Sequence, residues 1–335
     1  MNILVTGGAG YIGSHTCVVL LQAGHNVTVI DNLSNSSAIA LKRVQELAGK
    51  SLRFVEGDIR NRADLNHAFE GGIDAVIHFA ALKAVGESCE QPLRYFDNNI
   101  GGTISLMQAM EAHGVRRLVF SSSATVYGEP DSVPVKEDAP LRVTNPYGRT
   151  KLVMEKLIGD WCVAHPEVSA VLLRYFNPAG AHPSGRIGED PRGVPNNLMP
   201  YIAQVAVGRR DTLQVYGNDY PTPDGTGVRD YLHVMDLADA HLKAVEYSAC
   251  YVGCEVFNLG TGRGYSVKEM VSAFERASGC QVPINVVPRR PGDVSALMAD
   301  PVKANQVLGW RAQLGLIEMC KDTWCWQTTN PQGFA

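Results

Sequence analysis

The chain has 335 residues, 30 basic and 34 acidic side chains, a formal net charge of −4 and 45% hydrophobic residues. This composition is typical of a folded protein of roughly two domains and excludes a disordered chain. The absence of a basic excess argues against a nucleic-acid partner, and no apolar run approaches the about 18 residues of a membrane span, so we expect no membrane partner.

The N-terminus, MNILVTGG, lacks the charged and apolar regions of a signal peptide, so we expect a cytoplasmic protein. The eight cysteines, at positions 17, 89, 162, 250, 254, 280, 320 and 325, include no CxxC pair and have no histidine at zinc-finger spacing. We therefore expect eight free thiols, mostly buried as small hydrophobic side chains, and no metal site.

Short apolar runs alternate with longer helical patterns over the first 175 residues. The runs predict strands at 3–6, 27–30, 52–56, 75–79, 118–121 and 170–175, and the clearest helical patterns cover 11–23 and 148–164. Each strand is continuously apolar, as in a sheet covered on both faces, and the intervening segments are long enough for crossover helices. We predict an α/β fold with a doubly wound parallel (Rossmann) sheet.

The sequence changes in character after Asn177. Residues 178–230 are rich in proline and glycine, and residues 263–330 return to helix and strand patterns. Long irregular stretches inside compact proteins are usually functional loops. We predict a sheet domain of residues 1–176, rejoined by about 230–262, and a smaller α+β C-terminal substrate domain of residues 177–229 and 263–335.

A glycine-rich run, TGGAGYIG, follows the first predicted strand and opens the first predicted helix. Its spacing fits the dinucleotide pattern either through Gly7, Gly10 and Gly13 or through Gly8, Gly10 and Gly13. Such glycines allow a tight turn, and a helix N-terminus offers free N–H groups and a positive dipole end to a pyrophosphate. We predict a dinucleotide cofactor at this turn.

Acidic residues follow the next two strands. Asp31 stands 18 residues after Gly13, where a carboxylate accepts hydrogen bonds from the adenosine ribose and repels the additional phosphate of NADP. The run DNLSNSS offers no arginine for that phosphate, so the predicted cofactor is NAD. Asp58, in GDIR, is a candidate contact for the adenine, the alternative being an ordinary surface carboxylate.

A candidate acid–base set follows the fifth strand. The strand ends in three serines, and the run YGRTK places Tyr147 and Lys151 on one face of a helix, one turn apart. A free phenol has a pKa of about 10, but a lysine ammonium and a positive nicotinamide ring would stabilise the phenolate. With Ser123 sharing the proton, Tyr147 becomes a general acid and base, although a Tyr–Lys pair alone is usually a surface feature.

These motifs, together with HFAALKAVGES, FSSSATVYG and NPYGRTK, resemble the extended short-chain dehydrogenase/reductase family. Longer runs, such as LRYFNPAGAHPSG and YGNDYPTPDGTGVRDYLHVMDLADAH, resemble its bacterial-type UDP-glucose 4-epimerases, from residue 2 to the closing WCWQTTNPQG. The resemblance implies tightly held NAD, a UDP-hexose substrate, and interconversion of UDP-galactose and UDP-glucose by oxidation at C4, rotation of the 4-keto sugar and re-reduction. It also implies a homodimer, for which the helices around 92–113 and 148–164 offer faces.

The resemblance also assigns site residues, with Tyr147, Lys151 and Ser123 as the catalytic set. The implied cofactor residues are Gly7, Gly10, Tyr11, Ile12, Gly13, Asp31, Asn32, Asn35, Ser36, Asp58, Ile59, Phe79, Ala80, Lys83, Asn98, Ser121, Ser123, Tyr147, Lys151 and Phe176. The implied substrate residues are Lys83, Ser123, Tyr147 and Asn177 at the sugar, Asn197, Leu198, Arg229 and Arg290 at the diphosphate, Gln214, Val215, Tyr216 and Asp293 at the uridine, and Leu297.

One departure from the pattern bears on the choice of substrate. Leu297 stands where the resembling enzymes usually have a tyrosine that walls the sugar pocket. Because leucine is smaller and has no hydroxyl, we expect secondary activity on UDP-N-acetylhexosamines beside the main reaction.

Two other functions remain as alternatives. Sugar-nucleotide 4,6-dehydratases and decarboxylases share the scaffold, but the dehydratases carry an Asp-Glu pair where Ala124 and Thr125 stand here. Without a carboxylic acid, water elimination lacks its proton donor. A non-catalytic NAD-binding sensor would not need a tuned phenol.

Overall fold

The computed structural model describes residues 1–290 and 292–334, so positions 291 and 335 of the predicted substrate domain lie outside the described residues. The strands of the described chain are β1 (Asn2–Thr6), β2 (Asn26–Asp31), β3 (Arg53–Glu56), β4 (Ala75–His78), β5 (Arg117–Ser121), β6 (Ser169–Tyr175), β7 (Asn177–Ala179), β8 (Leu213–Tyr216), β9 (Val228–His233), β10 (Gly253–Leu259), β11 (Gly264–Ser266), β12 (Ile284–Val287) and β13 (Ala296–Leu297).

The α-helices are α1 (Tyr11–Gln22), α2 (Ala38–Ala48), α3 (Arg62–Phe69), α4 (Val85–Glu90), α5 (Pro92–Tyr95), α6 (Gly102–Ala112), α7 (Pro146–Ala164), α8 (Leu198–Ala206), α9 (Val234–Ser248), α10 (Val267–Ser278) and α11 (Leu316–Thr329). A 3-10 turn covers Ala124–Tyr127, and π-helical segments cover Phe96–Gly101 and Ala304–Leu308. Among the described residues, no helix is both long and apolar enough to cross a membrane.

Seven parallel strands form the central sheet, in the order β3-β2-β1-β4-β5-β6-β10. Helices cover both faces, so that apolar strand residues are buried on either side, and this explains the continuous apolar runs in the sequence. The six predicted strands are confirmed to within one residue at each end. The predicted doubly wound fold is therefore confirmed.

The strand order reverses between β1 and β4. The chain leaves β1 towards β2 and β3 on one side, and returns to β4 and β5 on the other. Such a reversal opens a crevice at the carboxyl ends of the strands, where ligands bind in doubly wound sheets. The predicted cofactor residues after β1, β2 and β4 all lie at this edge.

A second group of strands packs beyond this edge. β9 pairs with β7, β11 and β13, and β8 pairs separately with β12. Helices α8, α10 and α11 enclose an apolar cluster with β8 and β9. Between these parts the chain returns to the central sheet as β10, which pairs with β6.

All eight cysteines are free, but only Cys17, Cys162 and Cys320 are buried, and Cys89 and Cys250 are exposed. The expectation that most thiols are buried is therefore wrong. Cys89 lies on the short helix α4 and Cys250 follows the end of α9, where a small, weakly polar side chain can face solvent at little cost in free energy.

Candidate active site

The glycine turn between β1 and α1 is packed backbone against backbone. Gly7 has a φ of +70°, and a Cβ atom there would lie 2.8 Å from the Ala80 nitrogen. A Cβ atom on Gly13 would lie 2.4 Å from the Gly7 oxygen. Because Gly10 precedes α1 and offers no side chain to cap it, the first N–H groups of the helix, at Tyr11 and Ile12, are free to meet a pyrophosphate.

Asp31 is buried at the end of β2, beside this turn. Its Oδ2 accepts a hydrogen bond from the Ala9 nitrogen at 3.0 Å, and its Oδ1 accepts from the Leu33 nitrogen at 2.9 Å and from Ser36 Oγ at 2.8 Å. These bonds hold the carboxylate at the position where a ribose diol would lie. The neighbouring Asn35 is exposed.

Asp58 lies next to Asp31, after β3. It accepts hydrogen bonds from Arg60 Nε at 3.0 Å and from Asn32 Nδ2 at 3.1 Å. The Arg60 hydrogen bonds lower the pKa of Asp58 to about 2, which keeps the carboxylate charged. The following Ile59 is buried and leaves no space for a side chain at Gly102.

Other predicted cofactor residues line the far side of the crevice. The Phe79 nitrogen donates to the Thr6 oxygen at 3.1 Å, and the Ala80 nitrogen donates to Thr6 Oγ1 at 3.2 Å, so β4 ends against β1. Lys83 follows in the next loop. Asn98 lies in the π-helical segment, and Phe176 is buried between β6 and β7.

The predicted catalytic set comes together at the ends of β5 and α7. Helix α7 begins with Pro146 after Asn145, whose side chain accepts a hydrogen bond from the Gly148 nitrogen at 2.8 Å. This start buries both Tyr147 and Lys151, which are 7% and 2% exposed. The pair is therefore not a surface feature.

Lys151 and the serines are linked to the end of β5. Lys151 Nζ donates to the Ser121 oxygen at 2.6 Å, and Ser121 Oγ shares a hydrogen bond of 2.6 Å with the Tyr175 hydroxyl. Ser123 Oγ accepts from Thr125 Oγ1 at 3.0 Å, and its hydrogen bond with Tyr147 favours the phenolate. Tyr175 is a site neighbour that the sequence patterns did not single out.

Burial dominates the titration of the Tyr–Lys pair. It raises the pKa of Tyr147 well above its ordinary value, against the opposing hydrogen bond from Ser123. It lowers the pKa of Lys151 to about 7, against the opposing charge of Glu155. The sequence led us to expect a lowered pKa for Tyr147, but within the protein alone desolvation outweighs the hydrogen bond.

A buried ion pair lies beneath this set. Arg174 Nη2 contacts Glu155 Oε2 at 2.7 Å, and both side chains are 5% exposed. Arg174 Nη1 also donates to the Tyr127 hydroxyl at 3.0 Å, and Ser122 donates to Glu155. Removing one partner of such a pair typically costs about 3–5 kcal/mol, because the other charge is left buried and unpaired.

An arginine cluster marks the opposite end of the site. Asp293 contacts Arg290 Nε at 3.2 Å and Arg229 Nη2 at 3.9 Å. The Arg290 guanidinium lies over the Tyr216 ring, 4.2 Å from its centre. Strand pairing brings Leu297 of β13 opposite Arg229 of β9, so all five residues lie together.

Leu297 lies between the Tyr147, Lys151 and Ser123 set and the arginine cluster. It is 8% exposed and packs in one apolar cluster with Phe176, Ala124 and Val126. Ala124 directly follows Ser123, so the leucine lies close to the catalytic set as well as to the arginine cluster. This placement agrees with a role in bounding a ligand between them.

Two other predicted contacts lie on β8, with Gln214 on the same face as Tyr216 and Val215 on the opposite face. Val215 is turned into the apolar core, which leaves only its main-chain groups for a ligand. Gln214 donates to Thr212 Oγ1 at 3.2 Å and accepts from Asn285 Nδ2 at 3.1 Å.

Helix α8 points its N-terminus at the site. Asn197 precedes the helix, but in this part of the described chain its side chain makes no capping bond. It donates instead to Glu189 Oε1 at 2.7 Å, which also accepts from Lys83 Nζ at 3.0 Å. The first N–H groups of α8, from Leu198 onwards, are therefore available to an anion. Asn177 begins β7 nearby, and Glu189 is a site residue that the sequence patterns missed.

The crevice geometry and the buried Tyr–Lys pair define the class of extended short-chain dehydrogenases/reductases. A family model described as GDP-mannose 4,6 dehydratase matches residues 4–323. The UDP-glucose 4-epimerase of Bacillus subtilis is 60% identical over 335 residues, with 100% of this chain and 99% of that protein covered.

Solved structures agree with the sequence relatives. The UDP-glucose 4-epimerase of Bifidobacterium longum, in complex with NAD+ and UDP, has a TM-score of 0.97 and 51% identity, over 99% of this chain and 100% of that chain. The enzyme of Stenotrophomonas maltophila, with bound NAD and formylated UDP-arabinopyranose, has a TM-score of 0.97 and 52% identity, over 99% of both chains. The chain belongs to the matched dehydratase-type family and, within it, to the UDP-glucose 4-epimerases.

Proposed function

We propose that the protein is an NAD-dependent isomerase that interconverts UDP-galactose and UDP-glucose by inverting C4 of the sugar. The observation that carries this proposal is the buried set of Tyr147, Lys151 and Ser123 across the crevice from the glycine turn. Identity of 60% to the Bacillus subtilis enzyme over the full chain supports the same activity. The dehydratase hypothesis is not favoured, since Ala124 and Thr125 offer no carboxylic acid beside the sugar.

The residues of the crevice fit NAD. The glycine turn leaves no space for side chains where a pyrophosphate would lie, and α1 presents free N–H groups to it. The buried Asp31 carboxylate suits a free ribose diol and opposes a ribose phosphate. When bound, NAD supplies the oxidation and re-reduction at C4 and a positive charge beside the phenol.

The chain's own residues move the proton. Tyr147 accepts the proton of the sugar 4-hydroxyl and later returns it, while Ser123 hydrogen-bonds the phenol oxygen. Lys151, held by the Ser121 oxygen, stabilises the phenolate whenever its amine is protonated. Burial excludes water from this exchange, so a proton removed from the sugar stays with the pair.

We propose that the arginine cluster and the α8 N-terminus hold the UDP group. Arg229 and Arg290 present planar donor forks that match a diphosphate, and Asp293 beside them can accept from the uridine ribose. Asn177 and Lys83 would contact the sugar. Anchoring at the diphosphate leaves the keto sugar free to turn between the two ends.

On this proposal, residues 1–176 with about 230–262 bind NAD, and residues 177–229 with 263–335 bind the UDP sugar. We also propose a cytoplasmic homodimer. Support for the compartment comes from eight free cysteines, and support for the dimer from exposed apolar side chains at Leu93, Ile104 and Val163, on helices α5, α6 and α7.

Product analysis tests the proposed function. Purified protein is incubated with UDP-galactose and, in parallel, with UDP-N-acetylgalactosamine, and the products are separated by chromatography. We expect UDP-glucose as the main product and a slower N-acetyl reaction, because Leu297 leaves more space than a tyrosine. Loss of water from either sugar would identify a dehydratase, and the absence of any product would reject an isomerase.

A further inference from the structure

A single carboxylate joins the cofactor side of the site to the substrate side. Glu189 Oε1 accepts from Lys83 Nζ at 3.0 Å and from Asn197 Nδ2 at 2.7 Å. Lys83 follows β4 of the central sheet, whereas Asn197 directly precedes helix α8. The two donors therefore belong to different layers of the fold and meet at Glu189.

The position of Glu189 is set by its backbone. Trp326 Nε1 of α11 donates to the Glu189 main-chain oxygen at 3.2 Å. At the preceding Gly188, a Cβ atom would lie 2.4 Å from the Trp326 ring, so the segment packs directly on the indole. The Glu189 side chain is 10% exposed, whereas the Lys83 side chain is 49% exposed. The carboxylate is therefore the buried partner, and the lysine is the half-exposed one.

We propose that Glu189 is a positioning residue, which holds Lys83 and Asn197 in one arrangement around the sugar and diphosphate. The proposal rests on the proposed function, which places both residues at the substrate. A lysine side chain has four rotatable bonds, and pairing with a fixed carboxylate removes most of that freedom before substrate arrives.

The charge of Glu189 allows a positioning role to be distinguished from a purely structural one. A carboxylate within one hydrogen bond of Asn197 repels the diphosphate that Asn197 is proposed to contact. Removing this charge should slow turnover, because Lys83 loses its ion pair and is held less firmly. It should not weaken the affinity for UDP, because the repulsion of the diphosphate is removed with the charge. Local disruption of the fold would instead weaken both.

The test is Glu189→Gln in the NAD-loaded enzyme, alone and combined with Lys83→Met. Glutamine keeps the size and still accepts a hydrogen bond from Asn197. We expect a loss of about 10-fold in kcat for UDP-galactose, an unchanged or tighter UDP dissociation constant, and a further loss of less than about 2-fold in the Lys83→Met background. Glu46→Gln is the matched control, because Glu46 pairs with Arg186 of the same irregular segment on the surface.

The outcomes separate the two proposals. If the wild-type enzyme does not interconvert the UDP-hexoses, the proposed function fails. If it does, three results reject the positioning role. Glu189→Gln lowers kcat by the same factor with and without Lys83, leaves kcat unchanged, or weakens the binding of UDP. If Glu189→Gln yields no folded protein, Glu189→Asp is tested in the same way, alone and combined with Lys83→Met. It keeps the charge but shortens the reach, and it should lose turnover only when Lys83 is present.

Discussion

The proposed catalytic end of the site and its proposed UDP end differ in how deeply their charged and ionisable groups are buried. Tyr147 and Lys151 are 7% and 2% exposed, whereas the Arg290 side chain is 51% exposed and that of Arg229 is 19% exposed. At the buried end, desolvation moves the pKa of Lys151 to about 7, so proton transfer becomes possible near neutral pH. At the open end, the guanidinium groups contact Asp293 and present planar donor forks, which suits anion binding and not proton transfer.

Tyr147→Phe should have the largest effect, because it removes the ionisable oxygen from the buried end and keeps the ring. We expect NAD to be retained and turnover of UDP-galactose to fall by about 10²- to 10⁴-fold, the usual range for general acid–base catalysis. Tyr251→Phe is the control, since its hydroxyl donates to Glu255 near the surface, outside the site. Turnover close to wild type in the Phe variant would show that Tyr147 is not the base.

Lys151→Met tests whether the lysine charge tunes the phenol. The protonated amine, present below about pH 7, favours the phenolate, so its removal raises the pKa of Tyr147. The rate maximum should move to higher pH, and the rate at pH 7 should fall by about 10²-fold. The pH profile of Lys156→Met, an exposed lysine on the same helix, should not move. An unchanged pH profile in Lys151→Met would show that the charge of the cofactor alone tunes the pKa of Tyr147.

Leu297→Tyr tests the boundary between the two ends. A tyrosine would fill the space beside Phe176 and Ala124 and clash with an N-acetyl group, so kcat/KM for UDP-N-acetylgalactosamine should fall roughly 10- to 200-fold. The effect on UDP-galactose should be smaller, and Leu297→Met, of similar volume, should change neither. If the wild type has no activity at all on the N-acetyl sugar, Leu297 does not open the pocket.

Arg290→Lys should have the smallest effect, because it acts at the open end. The substitution keeps the charge but loses the planar fork that contacts Asp293 and lies over Tyr216. We expect UDP affinity to fall by a few-fold and kcat to stay the same, since a half-exposed charge contributes little. Arg289→Lys, which pairs with Asp219, controls for general charge effects. A large fall in kcat would show that this end also takes part in the chemistry.

Much of the central sheet and of its cofactor side could be predicted from local sequence. Strands covered on both faces must be apolar throughout, so the six predicted strands stood out, and a glycine run between a strand and a helix is typical of a dinucleotide-binding turn. The YGRTK spacing placed Tyr147 and Lys151 on one helix face because a helix turns every 3.6 residues. For the substrate side, local patterns predicted little, and the residues there came from resemblance.

Tertiary structure alone decided the remaining features. The direction of the Tyr147 pKa in the protein alone depends on burial, which helix spacing does not reveal, whereas the predicted lowering includes the charge of the bound cofactor. The contact of Glu189 with Lys83 joins residues 106 positions apart, through an irregular segment with no periodic pattern to interpret. The sequence by itself determined the sheet, the glycine turn and the spacing of the catalytic pair, because these follow from local geometry. Packing between distant segments decided burial and charge pairing in the site, because those depend on which surfaces meet.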